Sequence, residues 1–222
     1  MKKLLVILTA LLLVGMVSGA NAMEKGASVF AIELGNGSAE VSDTPVIAGL
    51  TPDYVGVSQV PELNVQGEFW YGLSEDYALT LSGGMGFSSY KQTPNDGTLD
   101  SEDTFSHSSY RVRVGGDRVG KVGDRLTVFV GPGLEFFGSK GKIKSEGGGL
   151  SLSADTQNTT RFAVSGRIGG MMKLNDVVSI VGRVGHNLGM VSSKADVGNA
   201  EVKSWTSGLD AAWGIAFAFG GK

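Results

Sequence analysis

The 222-residue sequence contains no cysteine, no second long apolar run and no excess of positive charge. The absence of cysteine excludes disulfide bonds, and it also excludes a lipid-modified cysteine behind an export signal. Beyond residue 22 no stretch is apolar enough for a membrane-spanning helix, so any passage through a membrane must use strands. The formal net charge of −3 gives no indication of a nucleic-acid partner.

The N-terminal segment has the three parts of a secretory signal peptide. Lys2 and Lys3 supply the positive charge, the apolar core follows over residues 4–17, and Ala20-Asn-Ala22 is a small-residue cleavage site. The apolar core is shorter than the roughly 20 residues of a membrane helix. We therefore expect residues 1–22 to be a signal peptide cleaved after Ala22, and residues 23–222 to form one mature domain. Its formal charge becomes −5, because only the two lysines are lost.

Strong period-two alternation dominates the mature sequence, and the clearest case is at its end. Large apolar residues from Leu209 through Trp213 to Phe219 alternate with small or acidic residues such as Asp210. Alternate residues of a strand point to opposite faces. Seven further segments show the same pattern, which predicts eight strands over residues 23–34, 63–73, 77–87, 107–115, 125–137, 160–172, 177–188 and 209–219.

The connections between these predicted strands alternate in length. The first, third, fifth and seventh are long, whereas the second, fourth and sixth are short. Strands of about 9–11 residues, with short turns at one end and long loops at the other, are typical of barrels that cross an outer membrane. The 35 glycines fit this fold, because a narrow lumen has room for few side chains. The pattern predicts an all-β, eight-stranded antiparallel up-and-down transmembrane barrel.

Charged residues lie opposite the apolar row in most strands. The cations among them are all arginine, whose planar fork suits carboxylates in confined spaces. We therefore predict a polar, plugged lumen lined by Glu33, Glu68, Arg111, Arg113, Glu135, Arg161, Arg167, Arg183 and Asp210. Two alternatives remain at this point: a soluble sandwich with solvated charges, and a periplasmic lipocalin-like binder whose apolar face points inward.

Symmetric closure of the hairpins predicts specific cross-strand neighbours. Glu135 is expected opposite Arg161, Arg167 opposite Arg183, and Arg183 opposite Asp210. Because two facing arginines repel each other, a carboxylate such as Asp210 is needed nearby. The strand aromatics cluster at two levels, which predicts two interfacial belts: Tyr71, Tyr77, Phe217 and Phe219 at one, and Phe87, Tyr110, Phe136 and Phe162 at the other.

With the signal Met1–Ala22, the short turns Ser74–Asp76 and Leu174–Asp176, and the terminal segment Trp213–Phe219, the chain resembles the small eight-stranded outer-membrane barrels of the OmpA/OmpX type. The resemblance implies a protein of the Gram-negative outer membrane, surrounded by lipid and lipopolysaccharide and inserted by the barrel-assembly machinery. It also implies a structural or adhesion role, with four surface loops open to an extracellular partner. Gly220-Gly-Lys222 follows the expected terminal aromatic, and we expect a barrel without a periplasmic domain.

Three segments contain residue types found in catalytic or ligand-binding sites, but the sequence predicts no catalytic, cofactor-binding or metal-binding residue in any of them. Residues 115–121 match part of a phosphate-binding loop, but Val122 replaces the required Ser or Thr, which favours a glycine-rich turn. His107 and Ser109, with Glu102 or Asp103, allow an alternative function as a lipid A deacylase-like enzyme. The ordinary interpretation is a polar rim histidine, and His186 is interpreted as interfacial.

The acidic segment from Asn95 to Asp103 offers carboxylates to calcium. It lacks the regular D-x-D-x-D-G spacing of a calcium loop, so a solvated loop is favoured. The sequence therefore predicts a non-enzymatic barrel that requires no cofactor and binds no nucleic acid.

Overall fold

The structure, a computed structural model, describes residues 23–40, 59–92, 101–147, 150–194 and 201–219. Eight strands form a closed barrel in which each strand pairs antiparallel with its neighbours in chain order. The predicted fold class is confirmed; the signal segment lies outside the described residues. The strands are β1 Ser28–Glu40, β2 Gln59–Gly72, β3 Tyr77–Gln92, β4 Ser101–Val122, β5 Leu126–Gly147, β6 Leu150–Lys173, β7 Val178–Lys194 and β8 Glu201–Phe219.

The barrel closes between its first and last strands, as the sequence predicts. Phe30 lies opposite Phe217 and Leu34 opposite Trp213, so neither strand has an open edge here. The paired residues can be followed from strand to strand around the barrel. Starting at Ile32 on β1, this path arrives at Trp205 on β8, whereas the direct partner of Ile32 on β8 is Ile215. This shift of ten residues in eight strands tilts the strands by about 40°.

The two ends of the barrel differ. The "turn end" contains residues 73–76, 123–125 and 174–177 together with the start of β1 and the end of β8. The "loop end" contains the other connections. Gly123 has a φ of 69°, a backbone conformation that favours glycine in the tight β4–β5 turn. No helix among the described residues is long and apolar enough to span a membrane.

Strands β4, β5 and β6 are much longer than predicted. The predicted polar loops over residues 88–106 and 139–157 are largely paired strand, and only residues 148 and 149 separate β5 from β6. The predicted glycine-rich turn at residues 117–124 is also mostly strand, because β4 continues to Val122. Backbone pairing between long neighbours thus overrides the turn-like composition of these segments.

The side chains confirm the predicted orientation of the two faces. Trp213 is 65% exposed and Leu209 74% exposed on the outside, whereas Glu33 and Glu68 are fully buried inside. This arrangement excludes the inverted, lipocalin-like alternative and a sandwich with solvated charges. The predicted belt residues lie on the outer face of the barrel, with Phe217 half-buried. The belt predicted beside the long loops, the loop-end belt, lies near the middle of the long strands β4, β5 and β6. Tyr110 and Phe136 form a tilted ring pair 6.0 Å apart within it.

Candidate functional site in the barrel lumen

An apolar layer fills the lumen near the turn end. Trp70 is its largest member, and its ring meets Phe129 edge to face with centroids 5.9 Å apart. Met23 reaches the same layer because residues 23–27 fold back across this end, where the backbone of Gly26 donates to the carbonyl of Gly72. The members of this "apolar layer" are Met23, Ala31, Trp70, Ala78, Val119, Phe129, Met171, Val181 and Ala216.

Arg167 joins the apolar layer to a charged layer above it. Its guanidinium lies 5.4 Å from the Trp70 ring centroid and 5.3 Å from that of Phe129, distances typical of cation–π contacts. The same group donates twice to Asp117, from Nη2 at 2.5 Å and from Nε at 3.2 Å, and pairs with Glu68. Trp70 Nε1 also donates to Asp117 at 3.2 Å. This bidentate geometry fixes the positions of the Arg167 guanidinium and the Asp117 carboxylate.

Arg183 continues the charge alternation toward the loop end. Its Nε lies 3.0 Å from Glu33 and 3.7 Å from Glu68, and its Nη1 lies 3.0 Å from Asp210. Gln66 also donates a hydrogen bond to Glu33. Three strands, β1, β2 and β8, thus place their carboxylates around one guanidinium.

Arg111 and Arg161 complete the series. Arg111 contacts Asp210 at 3.4 Å and Glu135 at 3.5 Å, and Arg161 contacts Glu135 at 2.8 Å. Acid and base therefore alternate without a break from Asp117 near the turn end to Arg161 at the middle of β6. The order of this "ion chain" is Asp117, Arg167, Glu68, Arg183, Asp210, Arg111, Glu135 and Arg161, with Glu33 attached at Arg183.

Arg113 lies beside the ion chain and uses uncharged acceptors. Its guanidinium donates to Ser165 and Thr80, each at 3.1 Å, and to the carbonyl of Gly131 at 3.5 Å. Gly133 makes this position possible, because a Cβ there would lie 2.6 Å from the guanidinium. The excess of glycine thus makes room for large side chains, as the sequence predicts.

Formal charge balances within the described lumen. Five carboxylates face five guanidinium groups, and the residues are Glu33, Glu68, Asp117, Glu135 and Asp210 with Arg111, Arg113, Arg161, Arg167 and Arg183. Each carboxylate has an arginine partner, which compensates for its removal from water. Among the described residues, no group of three or more His, Cys, Asp or Glu side chains could hold a metal ion. The arrangement suits filling and bracing the lumen.

The sequence identified nine of the lumen residues but not their register. Glu135 lies opposite Ala163, Arg167 opposite Gly185, and Arg183 opposite Ala212. Each predicted partner is two residues away, so the predicted opposite positions are wrong, whereas the contacts of Glu135 with Arg161 and of Arg183 with Asp210 are present. Two residues is the side-chain period of a strand, so the predicted faces are correct. Long side chains therefore still reach the intended carboxylates diagonally.

Asp117 is a charged lumen residue that the sequence interpretation missed. The sequence predicts a turn at this position, yet Asp117 is fully buried and pairs with Arg167. The signal was present, because Asp117 continues the period-two series of Arg111 and Arg113 through Gly115. The Gly-Gly pair at 115–116 suggested a turn instead.

The structure does not bring the remaining candidates, namely the His107 and Ser109 pair, residues 115–121 and His186, together into one site. Ser109 is buried and shares with His107 the inward parity of β4, whereas a lipid-processing site needs these groups on the outer face. The phosphate-loop match at 115–121 is extended strand. His186 points outward, in line with an interfacial residue. The side chains of Glu102 and Asp103 and the loop around Asn95 lie outside what the structure describes.

Two ion pairs outside the membrane-spanning part shift a pKa. A hydrogen bond from Lys144 lowers the pKa of Glu146 near the loop end, with help from the charges of Lys144 and Lys91. A hydrogen bond from Lys173 likewise lowers the pKa of Asp176 in the β6–β7 turn. Both pairs are exposed, so water screens them strongly.

Comparison with known proteins identifies the fold through solved structures. No protein-family model matches the chain, and no curated protein aligns with it significantly. The outer membrane protein OprG of Pseudomonas aeruginosa aligns at 10% identity over 91% of this chain and 100% of OprG, with a TM-score of 0.52. The attachment invasion locus protein Ail of Yersinia pestis aligns at 15% identity over 88% of this chain and 100% of Ail, with a TM-score of 0.40.

A designed transmembrane β-barrel also aligns, at 14% identity over 89% of this chain and 99% of the design, with a TM-score of 0.46. The OprG alignment and the closed eight-stranded sheet agree on one architecture. The chain therefore has the fold of the small eight-stranded outer-membrane barrels, which confirms the predicted resemblance at the level of fold.

Proposed function

We propose that this chain is a non-enzymatic protein of the Gram-negative outer membrane whose lumen is plugged and whose loop end faces outward. Its outer surface carries an apolar band between two aromatic belts, the pattern of a lipid-facing barrel. Removal of residues 1–22 would place Met23 at the N-terminus, where its side chain enters the apolar layer. Export would thus produce the chain end that helps to close the turn end.

The observation that carries the proposal is the unbroken ion chain across the lumen. Conduction through a barrel requires a water-filled path, and an eight-stranded barrel has an interior just wide enough for side chains. Here that space is occupied by guanidinium–carboxylate pairs such as Arg167–Asp117 and by the Trp70 and Phe129 rings. The role left to such a barrel is to anchor its loop-end segments at the cell surface and to strengthen the envelope.

Planar-bilayer recording tests the plugged lumen. Purified protein, shown to be folded by heat-modifiable gel migration, is added to a bilayer at increasing voltage. We expect no steady single-channel steps. Stable, reproducible openings from the unmodified protein would refute a plugged barrel.

Cell fractionation and N-terminal sequencing test the location. We expect the protein in the outer-membrane fraction, with a mature chain that begins at Met23. Recovery in the soluble periplasm would refute the proposed location, and an N-terminus elsewhere would refute the cleavage site alone. If residues at the loop end are not labelled by a membrane-impermeant reagent in intact cells, the outward orientation is contradicted.

Lipid A analysis tests the non-enzymatic role. His107 and Ser109 carried the enzyme alternative, and both lie on the inward parity of β4. Mass spectrometry of lipid A from cells that express the protein or its His107→Ala variant should give identical spectra. Acyl chains removed only by the unmodified protein would establish the enzyme instead.

A further inference from the structure

A groove of about 560 Å³ lies on the outer wall of the barrel near the loop end. Three neighbouring strands form it, and most of its lining side chains point outward rather than into the lumen. The lining residues are Phe87, Ser89, Ser106, His107, Ser108, Lys140, Gly141 and Lys142. None of the ion chain residues takes part, so the groove is separate from the lumen.

The register explains the shape of the groove. On β4, the small side chains of Ser106 and Ser108 form a low floor beside Phe87 on β3 and the two lysines on β5. Ser108 pairs with Phe87 on β3 and with Lys140 on β5, and Ser106 pairs with Ser89 and Lys142. The two rows of paired residues therefore have the same composition, with a serine hydroxyl on β4 and a lysine ammonium group on β5. A bulge at Gly141/Lys142 in the β5–β6 pairing adds local twist at this wall.

The charge of the groove is positive. Lys140 and Lys142 are exposed on the same face of β5. The next lysine of the row, Lys144, is paired with Glu146. Among the described side chains, no carboxylate lies within ion-pair distance of Lys140 or Lys142. Ammonium groups and hydroxyl donors around a concave surface are suited to a phosphate, whose oxygens accept several hydrogen bonds.

The height of the groove identifies the source of the phosphate. Phe87, at its base, and Phe136, four residues before Lys140 on the same face, belong to the loop-end aromatic belt. Four residues of a tilted strand rise about 10 Å along the barrel axis. The headgroup region extends about 5–8 Å beyond the hydrocarbon boundary, and a lysine side chain anchored just above that region is long enough to reach down into it. The ammonium groups therefore meet the bilayer at its headgroup level, and the groove opens sideways toward lipid.

We propose that this groove binds the phosphate of an anionic lipid headgroup in the outer leaflet, with Lys140 and Lys142 as charge partners and Ser108 as the hydroxyl donor. The Ser106 hydroxyl donates to the backbone carbonyl of Lys142 at 3.5 Å and contributes to the floor of the groove. Phe87 would contact the apolar part of the same lipid. This inference rests on the proposed membrane location. Lipid bound at β3, β4 and β5 would also support the parts of these long strands that extend beyond the loop-end belt.

The test uses the purified full-length mature protein in nanodiscs of neutral phosphatidylcholine, and it does not depend on cellular location. Lipid A carrying its phosphates is added in steps, and binding is followed by native mass spectrometry. We expect the Lys140→Gln/Lys142→Gln variant to bind about fivefold more weakly for each lysine removed. The matched control, Lys121→Gln/Lys173→Gln, makes the same charge change near the turn end and should bind like the unmodified protein.

Three further arms identify the ligand. Dephosphorylated lipid A should lose the preference for the unmodified groove, and millimolar inorganic phosphate should not displace the lipid. A sulfated polysaccharide should bind more weakly than the lipid. Equal binding by both double variants, or equal binding of dephosphorylated lipid, would overturn the proposal, as would displacement by free phosphate or stronger binding of the polysaccharide. Failure of these arms leaves the conductance and fractionation results intact, so the two proposals are separable.

Discussion

Near the turn end the lumen is filled by apolar side chains such as Trp70 and Phe129, whereas above them it is filled by paired charges such as Arg183 with Glu33 and Asp210. Both regions occupy the lumen, but with different kinds of side chain. The apolar layer needs only close packing and tolerates small errors of position. The ion chain needs each partner in place, because an unpaired buried charge is costly.

The two regions meet at Arg167, and this contact teaches how they depend on each other. Its guanidinium lies over the rings of Trp70 and Phe129 and binds Asp117, to which Trp70 also donates. The apolar layer thus forms the floor on which the first charged pair rests. We expect the two layers to act as two closures in series along one lumen.

The largest effect should come from removing both closures together. Phe129→Ala opens the apolar layer, and Glu68→Ala with Arg167→Ala removes a paired acid and base from the ion chain. We expect neither change alone to produce conduction in planar bilayers, because the other layer still blocks the lumen. The triple variant should show single-channel steps. Conduction by either partial variant would show that one layer alone closes the barrel.

Breaking one member of the ion chain should have the largest effect on stability. Arg167→Met leaves Asp117 and Glu68 buried without their main partner, which should lower the free energy of unfolding by about 3–5 kcal/mol. Urea unfolding in vesicles, followed by tryptophan fluorescence, measures it. Arg125→Met, at an exposed turn position, is the control and should change stability by less than about 0.5 kcal/mol. Equal effects of both changes would contradict a special role for the buried charge.

Truncation within the apolar layer should cost less. Val181 is fully buried, so Val181→Ala removes packed methyl groups and should cost about 2 kcal/mol. Val184, on the outer face of the same strand, is 54% exposed. Lipid can fill the space left by Val184→Ala, so that change should cost under about 0.5 kcal/mol. The same urea experiment compares the two, and a larger loss at Val184 would reverse the assignment of the faces.

The smallest effect should come from an exposed ion pair outside the lumen. The pKa of Asp176 lies below its ordinary value of 3.8 because Lys173 donates to its carboxylate. A lowered folded-state pKa adds stability above the unfolded value, and this stability is lost as pH falls through the folded value. We therefore expect no change between pH 7 and about pH 5, and a small loss only below about pH 4.

Lys173→Gln provides the check on this pair. In a titration of the Asp176 carboxyl followed by NMR, the substitution should raise the pKa toward 3.8. Unfolding at pH 7 should stay almost unchanged, because the pair is solvated. A large loss of stability at pH 7 would show that exposed and buried pairs contribute alike in this barrel.

Sequence patterns predicted the barrel, its closure and nine lumen residues, because the alternation of side chains is a local property of a strand. They failed at the ends of strands. The Ser- and Gly-rich stretches at 139–147 and 150–157 have the composition of a loop, yet they pair with each other as strand. Asp117 was lost for the same reason, since a Gly-Gly pair in isolation predicts a turn. Pairing with a neighbouring strand, which no local pattern contains, decided both cases.

The sequence by itself determined which face of each strand meets lipid and which charges enter the lumen. The side chains of a strand alternate between the two faces, so a register error of two residues leaves each side chain on its predicted face. The sequence anticipated the contacts of Glu135 with Arg161 and of Arg183 with Asp210, but only the tertiary structure decided that Arg167 binds Asp117 and Glu68. It also decided that Phe87, Ser108 and Lys140 share one row on the outer wall. The reason is that partners across strands are set by register and tilt, which depend on the closed barrel as a whole.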